Sequence, residues 1–300
     1  MEAPAIVIEH FTKRFGSRSA VADLSLEVPR GAVLGLLGQN GAGKSTTIKT
    51  LLNLYRPTSG RLAVLGLDSV RQSIELRRRV GYLPEEPSYY KWMTVDESVR
   101  FNAAFFPNWD KALADDLLKK LELPRDRKLR ELSRGMQAKV GLVIALAPRP
   151  EVLILDDPTS GLDAIVRREF LEAMIANVQA EGGTVLFSTH LLHEMERVAD
   201  EVAILHHGRL LLRDSLERLK AATKKLRVVY PDRVPERIEI PGLLRVVRNT
   251  HQALITVGGY DGRQAEQLRA AGAESVEALD LSLEEIFVEA VQGQAQGGRA

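Results

Sequence analysis

The chain has 300 residues, of which 45% are hydrophobic and 27% are charged, and this size fits one larger globular domain and a small second one. Its 41 basic and 40 acidic residues leave a formal net charge of +1, so no overall field attracts nucleic acid or an anionic membrane. The absence of cysteine excludes disulfides and thiol catalysis and favours a reducing, cytoplasmic location. No apolar run reaches the roughly 20 residues that cross a bilayer, so work at a membrane would require spanning helices from another chain.

Short apolar runs and alternating runs predict the elements of a mostly parallel sheet in the larger domain. The predicted strands are residues 6–11, 22–28, 32–37, 61–65, 80–83, 152–155, 184–187 and 202–205. From residue 94 to about residue 148 the period is helical, which predicts a helical subdomain. Predicted helices at 163–179 and 191–198 separate the last three strands, so the pattern indicates an α/β fold whose strands are covered on both faces.

The composition changes near residue 225, which predicts a small accessory α/β domain over residues 225–291 after a larger domain of residues 1–224. Within it, strands are predicted at 226–230, 243–247 and 253–257, and helices at 263–271 and 283–291. The tail, residues 292–300, is rich in glycine and glutamine and is predicted to be disordered.

A glycine-rich turn follows the third predicted strand and precedes a helix-compatible stretch. Gly38, Gly41 and Gly43 belong to the pattern G-x-x-x-x-G-K-[ST], which Lys44 and Ser45 complete. Glycines let the backbone adopt positive φ and wrap closely around a polyphosphate, so that amide N–H groups and the N-terminus of the next helix point at its oxygens. Lys44 would reach the β- and γ-phosphates and Ser45 would bind Mg²⁺. The turn, called the phosphate loop below, therefore predicts nucleotide binding.

Two aspartates, Asp156 and Asp157, follow the predicted strand at 152–155. In a protein with a phosphate loop, an aspartate that ends an apolar strand is the usual second group of the Mg²⁺ site, often through water. Asp156 is expected to take that role. Many α/β proteins end a strand with an acidic residue for no chemical reason, but the phosphate loop favours the functional interpretation here.

Three more motifs extend this pattern along the chain. Residues 132–136 are Leu-Ser-Arg-Gly-Met, residues 157–163 are Asp-Pro-Thr-Ser-Gly-Leu-Asp, and His190 follows the predicted strand at 184–187. Together the motifs resemble the nucleotide-binding subunit of an ABC (ATP-binding cassette) transporter, in the family's order and spacing, over about residues 5–220. In detail the chain is similar to the subgroup whose membrane subunits are encoded separately, which is often linked to export or resistance.

The resemblance implies that ATP and Mg²⁺ are the cofactors. The implied ATP-binding residues are Phe15, Gly38, Asn40, Gly41, Gly43, Lys44, Ser45, Thr46, Ser133, Arg134 and Gly135, and the implied metal-binding residues are Ser45, Glu85 and Asp156. Phe15 matches the aromatic residue that stacks on adenine, usually Tyr in the family, and a Phe packed in the core is the alternative. Arg134 replaces the first glycine of the family's signature Leu-Ser-Gly-Gly-Gln and adds a positive charge that can contact phosphate.

The signature also implies a second subunit. Ser133 can N-cap the helix that begins near Gly135 and leave free amides at the positive end of the helix dipole, aimed at phosphate. An ordinary capped helix explains Ser133 equally well, but it does not explain the position of the motif between the phosphate loop and Asp156. In the family this helix end caps the γ-phosphate of ATP bound to the partner chain, so a homodimer or heterodimer is implied.

The implied catalytic residues are Asp157, His190 and Glu85. His190 would hydrogen-bond the γ-phosphate and hold the attacking water. The family's general base is normally Glu, whereas Asp157 is one methylene shorter, and a base must come within about 2.6–3.2 Å of the proton it accepts. Glu85 replaces the Gln that normally contacts Mg²⁺ and water, so it would bind metal more strongly or partly take over as base. Asp157 and Glu85 are therefore both candidates for the general base.

The resemblance implies a P-loop NTPase core with a helical subdomain and a small C-terminal α/β domain. Its expected function is to bind and hydrolyse ATP and to power transport of an unknown substrate through an integral membrane subunit, on the cytoplasmic face of the membrane. No nucleic-acid partner is expected, because a chromosome-type cassette needs a long coiled coil between Ser45 and Asp156 and no sustained heptads occur there. A soluble nucleotide switch that dimerises with ATP and hydrolyses little is the alternative, which the short Asp157 side chain keeps open.

Overall fold

The computed structural model describes residues 3–159, 171, 175–176 and 178–289, and the chain divides into two compact units, Met1–Leu210 and Leu211–Ala300. The described strands are β1 (Ile6–Phe15), β2 (Arg18–Val28), β3 (Val33–Leu37), β4 (Ser59–Val64), β5 (Leu67–Asp68), β6 (Val80–Leu83), β7 (Val152–Asp156), β8 (Thr184–Thr189), β9 (Glu201–His206), β10 (Arg209–Ser215), β11 (Lys224–Val229), β12 (Leu243–Arg248), β13 (Gln252–Val257) and β14 (Ser275–Asp280). The helices with both ends described are α1 (Lys44–Leu51), α2 (Ser73–Arg79), α3 (Val95–Ala103), α4 (Lys111–Lys120), α5 (Arg134–Leu146), α6 (Leu192–Val198), α7 (Leu216–Ala222) and α8 (Arg263–Ala270).

The main sheet has six strands in the order β10-β9-β3-β8-β7-β6, and all of them except β10 lie wholly in the first unit. β3 pairs in parallel with β8 and β9, and β7 pairs in parallel with β8 and β6. Every residue of β3, β7 and β8 is buried, as expected for nearly all-apolar parallel strands that are covered on both faces. Because parallel strands end at the same edge of a sheet, the phosphate loop, Asp156 and His190 come to one edge.

A second, antiparallel sheet of the first unit has the order β2-β1-β4-β5. Its apolar side chains form one core with α1 and with the main sheet, and this core includes Phe11, Leu24, Leu36 and Ile48, each fully buried. Burying one such side chain stabilises the fold by about 1.5–3 kcal/mol. The core therefore fixes α1, and the phosphate loop that precedes it, against β1 and β2.

The predicted helical stretch at 94–148 consists of α3, α4 and α5, and each helix begins at a side-chain cap. Thr94 and Glu97 form a capping box at the start of α3, with bonds of 3.2 and 2.8 Å. Asp110 accepts a hydrogen bond from the backbone of α4, and Ser133 accepts one from the backbone of α5. These caps fix the residue at which each of the three helices begins.

The second unit contains an antiparallel sheet in the order β12-β13-β11-β14 that packs with α8 around its own apolar core. The sequence pattern does not predict β14, because no residue of this edge strand is fully buried. The unit begins at Leu211, before the predicted boundary at residue 225, since α7 belongs to it and the carbonyl of Ala222 accepts a hydrogen bond from Tyr260. Most of the predicted helix at 163–179 and the tail from 292 lie outside the described residues.

Candidate functional site

A cavity of about 560 Å³ lies where the carboxyl ends of β3 and β7 face β1 and β2. It brings together the predicted residues Phe15, Asn40, Gly41, Gly43, Lys44, Ser45, Thr46, Glu85, Asp156 and Asp157. Arg18, Ala20 and Ser188 also line it, although the sequence pattern does not single them out. The site is thus assembled from chain segments that are far apart in sequence.

The phosphate loop presents a buried cation to this cavity. Gly43 has φ of 106°, and a Cβ there would lie 2.8 Å from the carbonyl oxygen of Ala20, so only glycine fits. Lys44 Nζ donates hydrogen bonds to the carbonyl oxygens of Gly38 at 2.6 Å and Gln39 at 3.3 Å. Burial lowers the pKa of Lys44, and the nearby carboxylates, Asp157 foremost, oppose this shift. The loop therefore holds its ammonium group on carbonyl oxygens that a phosphate can replace.

Asp156 is held at the end of β7 by two hydroxyl groups. Ser45 Oγ donates to Asp156 Oδ1 at 2.8 Å, and Ser188 Oγ donates to the same oxygen at 2.9 Å. The other oxygen, Oδ2, is buried and has no hydrogen-bond partner among the described residues. A free carboxylate oxygen beside a serine hydroxyl is a donor set that suits a hard divalent cation.

Asp157 and His190 form a pair at the adjacent strand ends. His190 Nδ1 lies 2.7 Å from Asp157 Oδ2, and the backbone N–H of Asp157 donates to Ser188 Oγ at 3.1 Å. Asp157 has φ of 47°, a left-handed conformation that is uncommon outside glycine and tends to occur at functional sites. His190 does not itself line the cavity, so the pair with Asp157 connects it to the site.

Glu85 follows β6 and lines the same cavity as the two aspartates. Burial raises the pKa of Glu85, and the negative charges of Asp157 and Asp156 raise it further. A carboxyl group whose proton is held more tightly than usual is suited to proton transfer as well as to metal binding. The geometry is thus compatible with both expected roles of Glu85, as a metal ligand and as a general base.

Phe15 is 46% exposed and lines the cavity, so it is not a core residue. Its ring makes an edge contact with Tyr55, with centroids 5.4 Å apart, and Lys13 Nζ lies 4.7 Å from its centroid. Such an exposed ring at a cavity wall is able to stack on a planar base.

The described signature residues, 133–135, do not line this cavity. Ser133 Oγ accepts a hydrogen bond from Met136 N at 3.2 Å, which confirms the expected N-cap, and α5 begins at Arg134. Arg134 lines a separate cavity of about 260 Å³, which it shares with Glu85 and Glu86. The described residues of one chain therefore do not bring the signature to the phosphate loop.

The sequence gives a partial signal for Ser188. It is the next-to-last residue of the buried strand β8, two positions before His190 and in register with Asp156, and a polar residue near the end of such a strand indicates a site. Arg18 gives a weaker signal, because a lone arginine between two strands is most often a solvated side chain.

Comparisons with known proteins agree with this geometry. The family model described as ABC transporter matches residues 21–160. A bacitracin transport ATP-binding protein, BcrA of Bacillus licheniformis, is 36% identical over 216 residues, which is 71% of each protein. A daunorubicin resistance ATP-binding protein, DrrA3 of Streptomyces coeruleorubidus, is 32% identical over 300 residues, which covers 94% of this chain and 93% of that protein.

A solved structure described as the ATP-binding subunit of an ABC transporter superposes with a TM-score of 0.66 at 31% identity, covering 72% of this chain and 92% of that one. The chain belongs to the family of ABC transporter ATP-binding proteins. It binds and hydrolyses ATP and thereby powers the transport of a substrate through a membrane subunit. The predicted family, the P-loop cassette fold and the ATPase activity are confirmed. Within the described ranges, no helix has the length and apolar character needed to cross a bilayer.

Proposed function

We propose that this chain pairs with a second cassette, identical or similar, and that two ATP molecules are bound between them. Each ATP is held by the phosphate loop of one chain and by residues 133–135 of the other. One observation carries the proposal: the cavity that contains Lys44 and Asp156 is not lined by the signature residues of the described chain. Ser133 and Arg134 are exposed at the start of α5, which has 13 residues, so a partner chain can reach this helix end.

The residues of the cavity fit Mg²⁺. Asp156 Oδ2 is buried without a hydrogen-bond partner among the described residues, and Ser45 lies on the other oxygen of the same carboxylate. Ser45, Asp156 and Glu85 would hold the cation. In the described part of the chain no group of three or more histidine, cysteine or acidic side chains is placed to hold a metal. In proteins Mg²⁺ usually keeps waters and substrate phosphate oxygens among its ligands. When bound, the cation neutralises charge on the phosphates.

Lys44 and Phe15 bind the two ends of the nucleotide. The ammonium group of Lys44 leaves the carbonyl oxygens of Gly38 and Gln39 for the phosphates, which carry a full negative charge and attract it more strongly. Phe15 stacks on adenine through its exposed ring. Arg18, at the cavity wall, adds a second positive charge beside the loop.

Asp157 acts as general base and His190 orients it. One oxygen of Asp157 contacts His190, while Oδ1 has no hydrogen-bond partner among the described residues and is the oxygen left to accept a proton from water. His190 contacts Asp157 through Nδ1, which leaves its other ring nitrogen, Nε2, for a phosphate oxygen. Glu85 is the rival base, because it lies in the same cavity and holds its proton more tightly than a free carboxyl group.

An exposed aromatic cluster is the proposed contact for the membrane subunit, which another chain supplies. Tyr90, Trp92, Phe101 and Phe105 are 40–62% exposed and touch one another in series, with ring centroids 5.3–6.1 Å apart. Exposed aromatic patches of this kind indicate protein interfaces. The cluster begins five positions after Glu85, so a subunit bound there lies close to the ATP cavity along the chain.

This contact would hold the chain on the cytoplasmic face of the membrane. The similar proteins are named for bacitracin transport and for daunorubicin resistance, which are chemically unrelated compounds. We therefore assign substrate choice to the membrane subunit rather than to this chain.

Recovery of the chain with membranes that contain its partner tests the contact through the aromatic cluster. Trp92→Ser should reduce this recovery more than Ile74→Ser, which changes another exposed apolar residue.

ATP-dependent dimerisation tests the pairing itself. Ser133→Arg should leave ATP binding by the monomer intact and block dimer formation with ATP, measured by size-exclusion chromatography with light scattering. Ser215→Arg is the matched control, because Ser215 caps α7 through the same type of bond, 3.2 Å from Arg218 N, and does not line the cavity. Normal ATP-driven dimerisation of Ser133→Arg would contradict the proposed geometry.

A further inference from the structure

A buried carboxyl group connects the two chain segments that carry Asp157 and His190. Glu194, on α6, is 5% exposed. Thr159 Oγ1 lies 3.0 Å from each of its carboxylate oxygens and donates to them, and Thr189 Oγ1 donates to Oε2 at 3.1 Å. Both threonines are fully buried, so these bonds are shielded from water.

The positions of the two threonines give these bonds a direct relation to the reaction centre. Thr159 lies two residues after Asp157, and Thr189 immediately precedes His190. The hydroxyl of Thr189 also accepts a hydrogen bond from Leu191 N at 3.0 Å, on the other side of His190. Glu194 therefore holds the backbone on both sides of His190 through Thr189, and it holds the turn that follows Asp157 through Thr159.

A plain packing role does not require this chemistry. Burying a carboxyl group costs free energy unless hydrogen bonds satisfy it, and an apolar side chain of similar volume fills a core at lower cost. The contact between His190 and Asp157 depends on a short distance, 2.7 Å between His190 Nδ1 and Asp157 Oδ2. A displacement of about 1 Å at such a site can reduce a rate by about 10².

We propose that Glu194 is a positioning residue for ATP hydrolysis, which holds Asp157 and His190 in register by binding Thr159 and Thr189. The proposal rests on the roles proposed above for Asp157 and His190. Glu194 itself does not line the ATP cavity, so it acts on the reaction through its two threonine partners and not through nucleotide binding.

Two substitutions test the proposal while largely preserving shape: Glu194→Gln, which places an amide opposite a hydroxyl donor, and Thr189→Val, which removes that hydroxyl. Each should lower kcat by roughly ten- to a hundredfold and leave the affinity for Mg²⁺-ATP unchanged. The matched control is Thr184→Val. Thr184 is a buried threonine at the opposite end of β8, where its hydroxyl accepts a bond from Gly31 N at 2.9 Å. This control should lower the melting temperature but keep kcat.

A double-mutant cycle separates positioning from general stability. In the Asp157→Asn background the loss caused by Glu194→Gln should shrink to less than about threefold, because the group that it positions is already disabled. An equal loss in both backgrounds, or a loss no larger than that of Thr184→Val, would overturn the proposal. If Asp157→Asn alone turned over at the wild-type rate, the role of Asp157 would fail instead, and the same cycle with His190→Ala would decide on Glu194.

Discussion

Asp157 uses its two carboxylate oxygens differently: Oδ2 lies 2.7 Å from Nδ1 of His190, whereas Oδ1 is buried with no hydrogen-bond partner among the described residues. The family pattern expects the longer Glu at this position. Here the left-handed backbone of Asp157, with φ of 47°, and the bonds from its N–H to Ser188 fix the shorter side chain in place. These contacts hold Asp157 and His190 in one arrangement.

Asp157→Asn should retain binding of ATP and Mg²⁺ and remove most hydrolysis, because only the proton acceptor is lost and general-base catalysis contributes about 10²–10⁴ in rate. The ATP-bound dimer should accumulate. Steady-state turnover and equilibrium nucleotide binding measure the two effects. Glu85→Gln is the necessary control: turnover at the wild-type rate in Asp157→Asn together with a loss of orders of magnitude in Glu85→Gln would assign the base to Glu85.

Asp157→Glu tests how far the base must reach. If the site keeps the family's geometry, the longer side chain should match or exceed wild-type turnover, since it brings the carboxylate closer to the attacking water. A large loss, measured in the same assay, would mean that the pocket has adapted to the shorter carboxylate and its contact with His190.

Lys44→Ala should abolish productive ATP binding, because the phosphates lose their nearest cation and a buried neutral side chain does not replace it. Fluorescent-nucleotide binding and turnover measure the loss. Lys49→Ala, on the same helix but outside the cavity lining, is the matched control and should bind ATP normally. Wild-type affinity in Lys44→Ala would refute the assignment of the phosphate loop.

Much of this site is predictable from the sequence because its signals are local. The phosphate loop is a contiguous pattern, and Asp156 is found by its place at the end of an apolar strand. Ser188 is predictable in this way only in part and Glu194 is not, since their partners depend on β8 lying beside β7 and on how α6 packs. The sequence periodicity also does not predict the exposed aromatic cluster, because Tyr90 and Phe101 come into contact only in the folded chain.

The raised pKa of Glu85 predicts a pH-dependent stability in the nucleotide-free protein. Burial first, and then Asp157 and Asp156, raise the pKa above its ordinary value of 4.5, so the folded state binds this proton more tightly than the unfolded state does. The stability from this group is complete below 4.5 and is lost as pH rises through the folded-state pKa.

Glu85→Gln should remove this loss of stability with rising pH, because the amide does not titrate. Its free energy of unfolding relative to wild type, measured with urea, should therefore increase as pH rises from the acidic range towards neutral. Glu86→Gln, at the next position, where the side chain is exposed like that of Glu85, controls for loss of a surface charge. A difference between Glu85→Gln and wild type that stays constant with pH, or that decreases, would show that the aspartates do not act on Glu85 in solution.

The accessory domain should be dispensable for nucleotide binding, because every residue that lines the ATP cavity belongs to the first unit. A chain that ends at Thr223 should keep the ATP affinity of the full protein. Circular dichroism must first establish that this shorter chain is folded. Loss of ATP affinity in a folded truncated chain would refute this prediction and give the second unit a part in the site.

Mixing two inactive variants shows whether the ATP site is shared between two chains. Lys44→Ala disables the phosphate loop and Ser133→Arg disables the signature, so each variant alone should hydrolyse almost no ATP. In a mixed dimer one site joins the intact loop of one chain to the intact signature of the other, so turnover should reappear on mixing. If the mixture stays as inactive as its components while mixed dimers form, the ATP site is not shared between two chains.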